Sequence, residues 1–451
     1  MNIAIAGAGE VATHVAELLM KRNAVTVIVP EGLVTSRLDL LDVQVVRGSS
    51  TSSGVLEMAG ISRSGVFVAA TDSDEANIVA CVLAARLGAK RTLCILSNPA
   101  DHNTIDTDLA KTLGIHNLIR PAEQLADEMI RIVSVPGALD AQHFEGGRVR
   151  LLRHRIEEGA PITTGAVMTQ KLPKNVLLVL GKRGDEAFIP SGPTEFQPGD
   201  KVTVMGTPRG VHEMLYRHLR STDHGYDHQD ALIVGGGTVG LAVAQGLEAA
   251  GWTVKIIEAD RERCEAIAPM IRGLVIHGDG TDLDLLEQEH AADTTVLLAV
   301  TSGDQNNLLV SLIGKTLGIP RIVTRADRLS NERLFEKVGI DVVRSARGAA
   351  IRRVAHDIVE TRFEVKAELD HGDVHIVELL LPDDYTPRPL KALATDLFAV
   401  IGAVVRNEKV IVPNGETVLQ PGDHLLLVTS IHDEDAARAH FSGASATAEA
   451  E

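Results

Sequence analysis

The chain has 451 residues, of which 45% are hydrophobic and 23% charged, the profile of a soluble globular protein, and its length sets an expectation of about three domains. Its formal net charge is −17 and only 3% of its residues are aromatic. So acidic a surface repels nucleic-acid phosphates and anionic lipid headgroups, and so few aromatic rings give no base-stacking platform, which excludes nucleic acid as a partner.

Met1–Gly7 has no charged leader and reads as a first β-strand rather than a signal peptide. It runs into Gly7-Ala8-Gly9-Glu10-Val11-Ala12, a G-x-G-x-x-A turn. Further on, Thr71, Asp74 and Asn77 form a polar cluster, and Val176–Leu180, a turn at Gly181–Asp185 and Ala187–Ile189 read as a hairpin. Gln197-Pro198-Gly199-Asp200 is turn chemistry ahead of a strand at Lys201–Met205. A polar linker, Arg220–Asp230, then precedes a second pass through the same series. Its His and Asp residues could suggest a metal site, but no rigid scaffold fixes them, so a solvated linker is expected and no metal ligand is assigned.

The second pass makes the chain a duplication. Gly7-x-Gly9 recurs as Gly235-Gly236-Gly237-Thr238-Val239-Gly240, and Thr71, Asp74 and Asn77 recur as Thr301, Asp304 and Asn307. Gln197-Pro198-Gly199-Asp200 recurs as Gln420-Pro421-Gly422-Asp423. In the second copy, strands are predicted at Ala231–Val234, Val254–Ile257, Val275–Ile276, Val296–Val300 and Arg321–Thr324, separated by amphipathic helical stretches. Strand alternating with helix predicts an α/β fold with a parallel, doubly wound sheet. Each half then ends in a small α+β module, the second with strands at Val400–Val405, Val410–Val412 and His424–Val428. The expected divisions are Rossmann-like lobes at 1–135 and 230–352, small lobes at 140–222 and 360–441, and a disordered tail at 442–451. No apolar run reaches bilayer-spanning length, and Cys81, Cys94 and Cys264 lack metal-ligand spacing, so a cytoplasmic protein with ordinary buried thiols is expected.

A glycine-rich turn between a strand and a helix is a phosphate cradle. The first glycine permits the turn, the second admits a pyrophosphate, the third position lets helix and strand pack closely, and the helix offers its first N–H groups. Gly7, Gly9, Glu10 and Val11 in one half, and Gly235, Gly237, Thr238 and Val239 in the other, are the candidate phosphate contacts. The halves differ in their other anchors. Glu258 stands where an acid reads the ribose hydroxyls, whereas the first half offers Val29, or Pro30 if no gap is allowed. Asp279 is matched by Ser49, and Arg325, suited to a phosphate, is matched by Leu96. The second half is therefore expected to bind nucleotide with standard polarity and the first weakly, differently or not at all.

The succession Gly7-x-Gly9-x-x-Ala12, Gly48, Thr71-Asp72-Ser73-Asp74-Glu75-Ala76-Asn77 and Gln197-Pro198-Gly199-Asp200, repeated in tandem over nearly the whole chain, resembles TrkA-type potassium-uptake regulators. The resemblance implies two RCK units, each a Rossmann lobe followed by a small C-terminal lobe. It implies a homo-oligomer of four chains, docked on the inner face of a membrane potassium channel or transporter and controlled by NAD(H) or ATP/ADP. By motif match it carries nucleotide contacts onto Gly235, Gly237, Glu258, Asp279, Thr301 and Arg325, and in the first half onto Gly7, Gly9 and Thr71.

The rival class is an NAD-dependent oxidoreductase with a duplicated Rossmann domain, which needs an acid/base residue beside the cofactor. His154 and His212 have no counterpart in the repeat, and His143 suits a structural or solvent role. Asp74 and Glu75 lie at a helix start, where N-capping is the expected role. There is no nucleophile elbow and no phosphate-binding lysine motif, so no catalytic residue is assigned and regulation is favoured. Amphipathic helices near Leu125–Ile132 and Ile351–Val359 are candidate lobe or subunit contacts.

Overall fold

The computed structural model describes residues 1–20, 23–33, 37–98, 105–220, 229–358, 363–369, 373–393, 395 and 397–442. The polar linker at 221–228 and the tail at 443–451 lie outside the described residues.

The first half opens with strands β1 (Asn2–Ala6), β2 (Ala24–Val29), β3 (Gln44–Arg47), β4 (Val66–Ala69), β5 (Arg91–Ile95) and β6 (Asn117–Ile119). They form an all-parallel sheet in the order β3-β2-β1-β4-β5-β6. The central strands read as unbroken apolar runs because helices cover both faces: Ile3, Ala4, Ile5 and Ala6 are all buried. The order in which strands are added reverses between β1 and β4, so the glycine turn after β1 and Thr71 after β4 meet at the carboxyl edge, where this fold places its ligands.

An antiparallel sheet follows, built from β7 (Ala138–Phe144), β8 (Val149–Arg155), β9 (Val176–Arg183), β10 (Glu186–Phe188) and β11 (Lys201–Gly206) in the order β10-β9-β11-β8-β7. The predicted turn at Gly181–Asp185 is shorter in the structure, and β9 continues to Arg183 before turning at Gly184, whose φ is +59°. Two contacts extend the strand. The Phe188 ring lies against Gly181, where an added Cβ would be 2.3 Å from Phe188 Cε2, and Asp200 holds the Arg183 guanidinium.

The second half repeats the plan. Strands β12 (Asp230–Val234), β13 (Thr253–Glu258), β14 (Leu274–His277), β15 (Val296–Ala299), β16 (Ile322–Ala326) and β17 (Val342–Ser345) form a parallel sheet in the order β14-β13-β12-β15-β16-β17. The five predicted strands are present, and β17 is a sixth that the sequence reading did not include. Next come β18 (Phe363–Leu369), β19 (Val374–Leu380), β20 (Arg388–Pro389), β21 (Ala399–Arg406), β22 (Lys409–Ile411), β23 (Val418–Leu419) and β24 (His424–Ser430). Of these, β18-β19-β24-β21-β22 make a second antiparallel sheet, and β20 with β23 form a two-stranded ribbon.

The chain partitions into two compact units: residues 1–130 with 229–358, and 131–228 with 359–451. Each unit therefore takes like parts from both halves. In the first unit, Ala350, Val354 and Ile358 of the helix Ala346–Ile358 belong to the same apolar cluster as Ile3, Ile5, Val15 and Leu19 of the first half. Arg352 on that helix donates two hydrogen bonds, of 3.0 and 2.6 Å, to the carboxylate of Glu128 on the helix Pro121–Val133. Ile130, one half-turn on, sits over Gly246 of the second half, where a Cβ would come within 2.2 Å of Ile130 Cδ1. The two amphipathic helices singled out in the sequence are thus contacts between lobes of one chain. In the second unit, Val149, Leu151 and Met205 share a core with Val374, Ile376 and Leu426, so the two antiparallel sheets also meet through their apolar faces.

The repeated Gln-Pro-Gly-Asp turn has a structural purpose. Asp200 accepts from Arg183 Nε at 2.9 Å and Nη2 at 2.7 Å, and from the Gln197 N–H at 2.9 Å. Asp423 accepts from Arg406 at 2.6 and 2.7 Å and from the Gln420 N–H at 2.8 Å. Both carboxylates are buried. Replacing Arg406 by Met should leave the Asp423 charge largely unpaired and cost about 3 kcal/mol. The expected outcome is an earlier urea transition by circular dichroism; an unchanged midpoint would mean that the pair contributes nothing to stability.

Candidate functional site

Two glycine turns lie at the carboxyl edges of the two parallel sheets. In the second half, β12 ends at Val234 and Gly235 turns the chain with φ +110°, a conformation that favours glycine. The same residue lies against the chain leaving β15, since a Cβ there would be 2.9 Å from Thr301 N and 3.0 Å from the Val300 carbonyl carbon. At Gly237 no atom lies within 4 Å of where a Cβ would stand, so the second glycine presents bare, open backbone. At Gly240 a Cβ would be 1.9 Å from the Gly235 carbonyl oxygen, which is why the third position must be small. Thr238 begins the helix Thr238–Ala249, and Val239 beside it is buried.

Glu258 closes β13 and is drawn to this turn. Its Oε2 accepts the Gly236 N–H at 2.6 Å and its Oε1 the Asp260 N–H at 2.9 Å. The Arg263 Nε donates to the Gly236 carbonyl at 2.8 Å, so the turn is held from both sides. Asp279 follows β14, where the Thr281 N–H at 2.9 Å and hydroxyl at 2.8 Å hold its carboxyl below the usual carboxylate range. Thr301 follows β15 and is oriented by Asn307, whose Oδ1 accepts from the Thr301 N–H at 2.8 Å and hydroxyl at 2.7 Å. The Asn307 amide donates in turn to the carbonyls of Thr301 at 3.1 Å and Arg325 at 3.0 Å. Arg325 itself donates from Nη2 to Asp327 at 2.9 Å, while its buried Nε makes no hydrogen bond.

The second-half candidates therefore converge on one sheet edge. An open backbone turn, a carboxylate set beside it and a guanidinium with an unused buried donor fit an adenosine phosphate: amides and Arg for phosphate, an acid for the sugar.

The first half keeps the turn and loses the anchors. Gly7 has φ +126°, and a Cβ there would lie 2.3 Å from the Ala70 carbonyl oxygen. Thr71 is held by Asn77 with the same bond pattern as Thr301 and Asn307. A Cβ at Gly9 would be 3.5 Å from Asp72 Oδ1. Gly48 donates to the Val29 carbonyl just as Gly278 donates to that of Glu258, which places Val29 opposite Glu258 and Ser49 opposite Asp279. The pairing of Arg325 with Leu96 needs correction by one residue. Asn77 bonds the Ile95 carbonyl where Asn307 bonds that of Arg325, so the structural counterpart is Ile95, which is equally apolar and buried. Val11 stays half-buried beside the turn. Glu10 takes a different role, because its Oε2 accepts from Arg347 at 2.7 Å and its Oε1 from the Leu329 N–H at 3.3 Å, both in the second half.

One sequence assignment changes here. The capping residue at the helix Asp74–Arg86 is Ser73, which accepts from the Ala76 N–H at 3.1 Å. Asp74 is buried and instead accepts the Ser97 and Asn98 N–H groups at 2.9 and 2.7 Å, and Asp304 does the same for Asp327 at 2.6 Å. The acids brace the next strand's loop. Asn77 and Asn307 build the site edge, and sequence reading noted them only as repeat markers; the signal available was their fixed six-residue spacing from Thr71 and Thr301. Glu145, Glu378 and His424, which the sequence reading did not single out, bring polar side-chain atoms within 4.8 Å of one another. Glu378 and His424 come from the paired strands β19 and β24, and Glu145 from the turn that follows β7. Glu378 bonds His424 at 2.8 Å and Glu145 pairs with Arg148 at 3.5 Å.

Fold and site together define a tandem protein of paired Rossmann lobes and small antiparallel lobes, with an acid and a guanidinium beside one of its two glycine turns. The TrkA-N domain profile matches residues 3–121 and 231–346, and the TrkA-C domain profile matches 152–217 and 377–442. The chain belongs to the TrkA family. It is 32% identical over 431 residues to the Trk system potassium uptake protein TrkA homolog of Archaeoglobus fulgidus, covering 95% of this chain and 97% of that protein. It is 28% identical over 445 residues to the Trk system potassium uptake protein TrkA of Haemophilus influenzae, covering 95% and 96%. Among solved structures, the GsuK channel bound to NAD aligns with a TM-score of 0.59 at 17% identity, over 98% of this chain and 79% of that one, which establishes a shared fold. No helix among the described residues is long and apolar enough to cross a membrane.

Gly240→Ala tests the turn itself. With a carbonyl oxygen 1.9 Å from the new methyl, the helix Thr238–Ala249 must move off its strand, and the second sheet should lose about 3 kcal/mol. Thermal unfolding should begin several degrees lower. An unshifted profile would mean that the turn tolerates bulk and that the third glycine has no packing role.

Proposed function

We propose that the chain is the nucleotide-sensing regulatory subunit of a membrane potassium-uptake system. Family membership supports this, since relatives aligned from end to end bear the name Trk system potassium uptake protein. The observation that carries the sensing role is Glu258, whose carboxylate spans the Gly236 and Asp260 amides beside the open backbone of Gly237. Ribose hydroxyls can donate to the same carboxylate oxygens as the nucleotide's phosphates settle on the turn.

The ligand class is NAD(H) or ATP/ADP. Gly235, Gly237, Thr238 and Val239 offer backbone N–H groups to phosphate, Glu258 accepts from the ribose hydroxyls, and Arg325 neutralises phosphate charge with its free Nε. Asp279 and Thr301 shape the rim. Gly7, Gly9, Val11 and Thr71 repeat the turn without an acid or a guanidinium, so the first site is the weaker one.

The sensing lobes are residues 1–135 and 230–352, and the small lobes 140–222 and 360–441 carry assembly. Four chains form a cytoplasmic ring, held at the inner face of the membrane by the transport partner. Occupancy shifts the population between two ring states, and the size of that shift is the ligand's differential affinity for them. The ligand is read and released unchanged. His143 in the first small lobe accepts from Arg150 Nε at 3.1 Å, and burial with the neighbouring Arg150 and Arg131 charges pushes its pKa down.

Replacing Glu258 by Ala should weaken adenine-nucleotide binding at least tenfold in titration calorimetry, the loss expected for hydrogen bonds to a charged group of about 1.5–3 kcal/mol. Purified protein should bind NADH or ATP without consuming either. Steady turnover without a membrane partner, or indifference to every adenine nucleotide, would overturn the reading.

A further inference from the structure

We propose that Glu10 is a positioning residue that ties the second half's phosphate-side loop, Arg325–Leu329, to the first half's glycine turn, so that occupancy of one half is felt by the other. The proposal rests on the nucleotide reading above and adds the route by which it is transmitted.

Glu10 is the first residue of the helix Glu10–Met20, directly after Gly7-Ala8-Gly9. In the second half Thr238 holds that place, a neutral residue beside a phosphate cradle. A carboxylate there works against a phosphate of its own lobe. The structure gives it other work. Its Oε1 accepts the N–H of Leu329, the first residue of the helix Leu329–Lys337, at 3.3 Å. Arg328, at that helix's capping position, makes no side-chain cap, so the acid that caps the helix comes from the opposite half. Oε2 accepts from Arg347 Nη1 at 2.7 Å, at the start of the helix Ala346–Ile358 that packs on the first sheet.

The loop so held carries the second site's cation. Arg325 ends β16 and pairs with Asp327 at 2.9 Å, while Asp304 accepts from the Asp327 N–H at 2.6 Å and from Asn331 Nδ2 at 2.5 Å. The loop is thus fixed by Asp304 from its own lobe and by Glu10 from the other. A phosphate that draws Arg325 away from Asp327 reorganises a loop whose far end is bonded to Glu10, and the pull reaches the helix Glu10–Met20. Coupling of this kind needs a contiguous element that both sites bias, and the carboxylate supplies the joint.

The test is hydrogen exchange on the full chain with and without NADH or ATP, in wild type, Glu10→Gln and Arg347→Met, each with calorimetry to establish that nucleotide is bound. In wild type, nucleotide should slow exchange at least threefold in both Leu329–Lys337 and Glu10–Met20. In the two variants the slowing should persist in Leu329–Lys337 and vanish in Glu10–Met20. Equal slowing of Glu10–Met20 in the variants, or none in wild type that does bind, overturns the coupling and leaves the sensing function standing. Lost binding in both variants would make Glu10 part of the site itself and likewise overturn it. Wild type that binds no nucleotide overturns the sensing function, and the coupling with it.

Discussion

The helix Ala346–Ile358 belongs by sequence to the second half, yet it buries Ala350, Val354 and Ile358 in the core of the first. The core of the first parallel sheet is completed by that helix. Burying such side chains contributes about 1.5–3 kcal/mol for each large aliphatic one, several times what an exposed ion pair gives, so the apolar seam sets the association and the polar contacts set its register. The Arg352–Glu128 pair lies on that seam in two-pronged geometry, with Glu128 largely withdrawn from solvent, which fixes orientation as well as distance.

A seam of this kind explains how duplicated halves can diverge. Once the two lobes share a core, each glycine turn is held in place whether or not it binds anything. Gly7 and Gly235 keep the same strained turn, and Thr71 and Thr301 keep the same asparagine clasp, because backbone closeness requires them in both halves. The polar side chains around the turn are freer to change, and they do: Glu258 stands against Val29, Asp279 against Ser49, Arg325 against Ile95. What is preserved marks the fold, and what differs marks the chemistry.

Much of this was legible in the sequence. The duplication, the parallel sheets, the glycine turns and the asymmetry of the anchors all follow from local patterns: apolar runs, glycine spacing and an acid at the end of a strand. Other features were hidden because they depend on residues far apart in the chain. Asp74 looked like a helix cap by position, but its carboxylate reaches Ser97 and Asn98 across the sheet edge. The sixth strand β17 places Arg344 directly after Val342 and Val343, and its partner β16 lies 16 or more positions earlier in the chain. Leu96 was one place out because strand ends slip by a residue without changing composition, and only the Asn77 bond to Ile95 fixes the register. The partners of Glu10 are more than 300 positions away, beyond any local periodicity.

The position after the glycines shows how charge separates structural from ligand-directed roles. At an effective dielectric of about 20, two like unit charges about 4 Å apart repel by roughly 4 kcal/mol, comparable with what a good phosphate cradle contributes. Thr238 avoids that penalty, and the second turn stays available to an anion. Glu10 would incur it, unless its charge is already spoken for. Arg347 neutralises it and the Leu329 amide completes its coordination, so the acid stabilises the seam instead of weakening a phosphate site. A single difference of residue type at the head of one helix thus separates a turn open to an anion from one whose carboxylate is tied into the seam by Arg347 and the Leu329 amide.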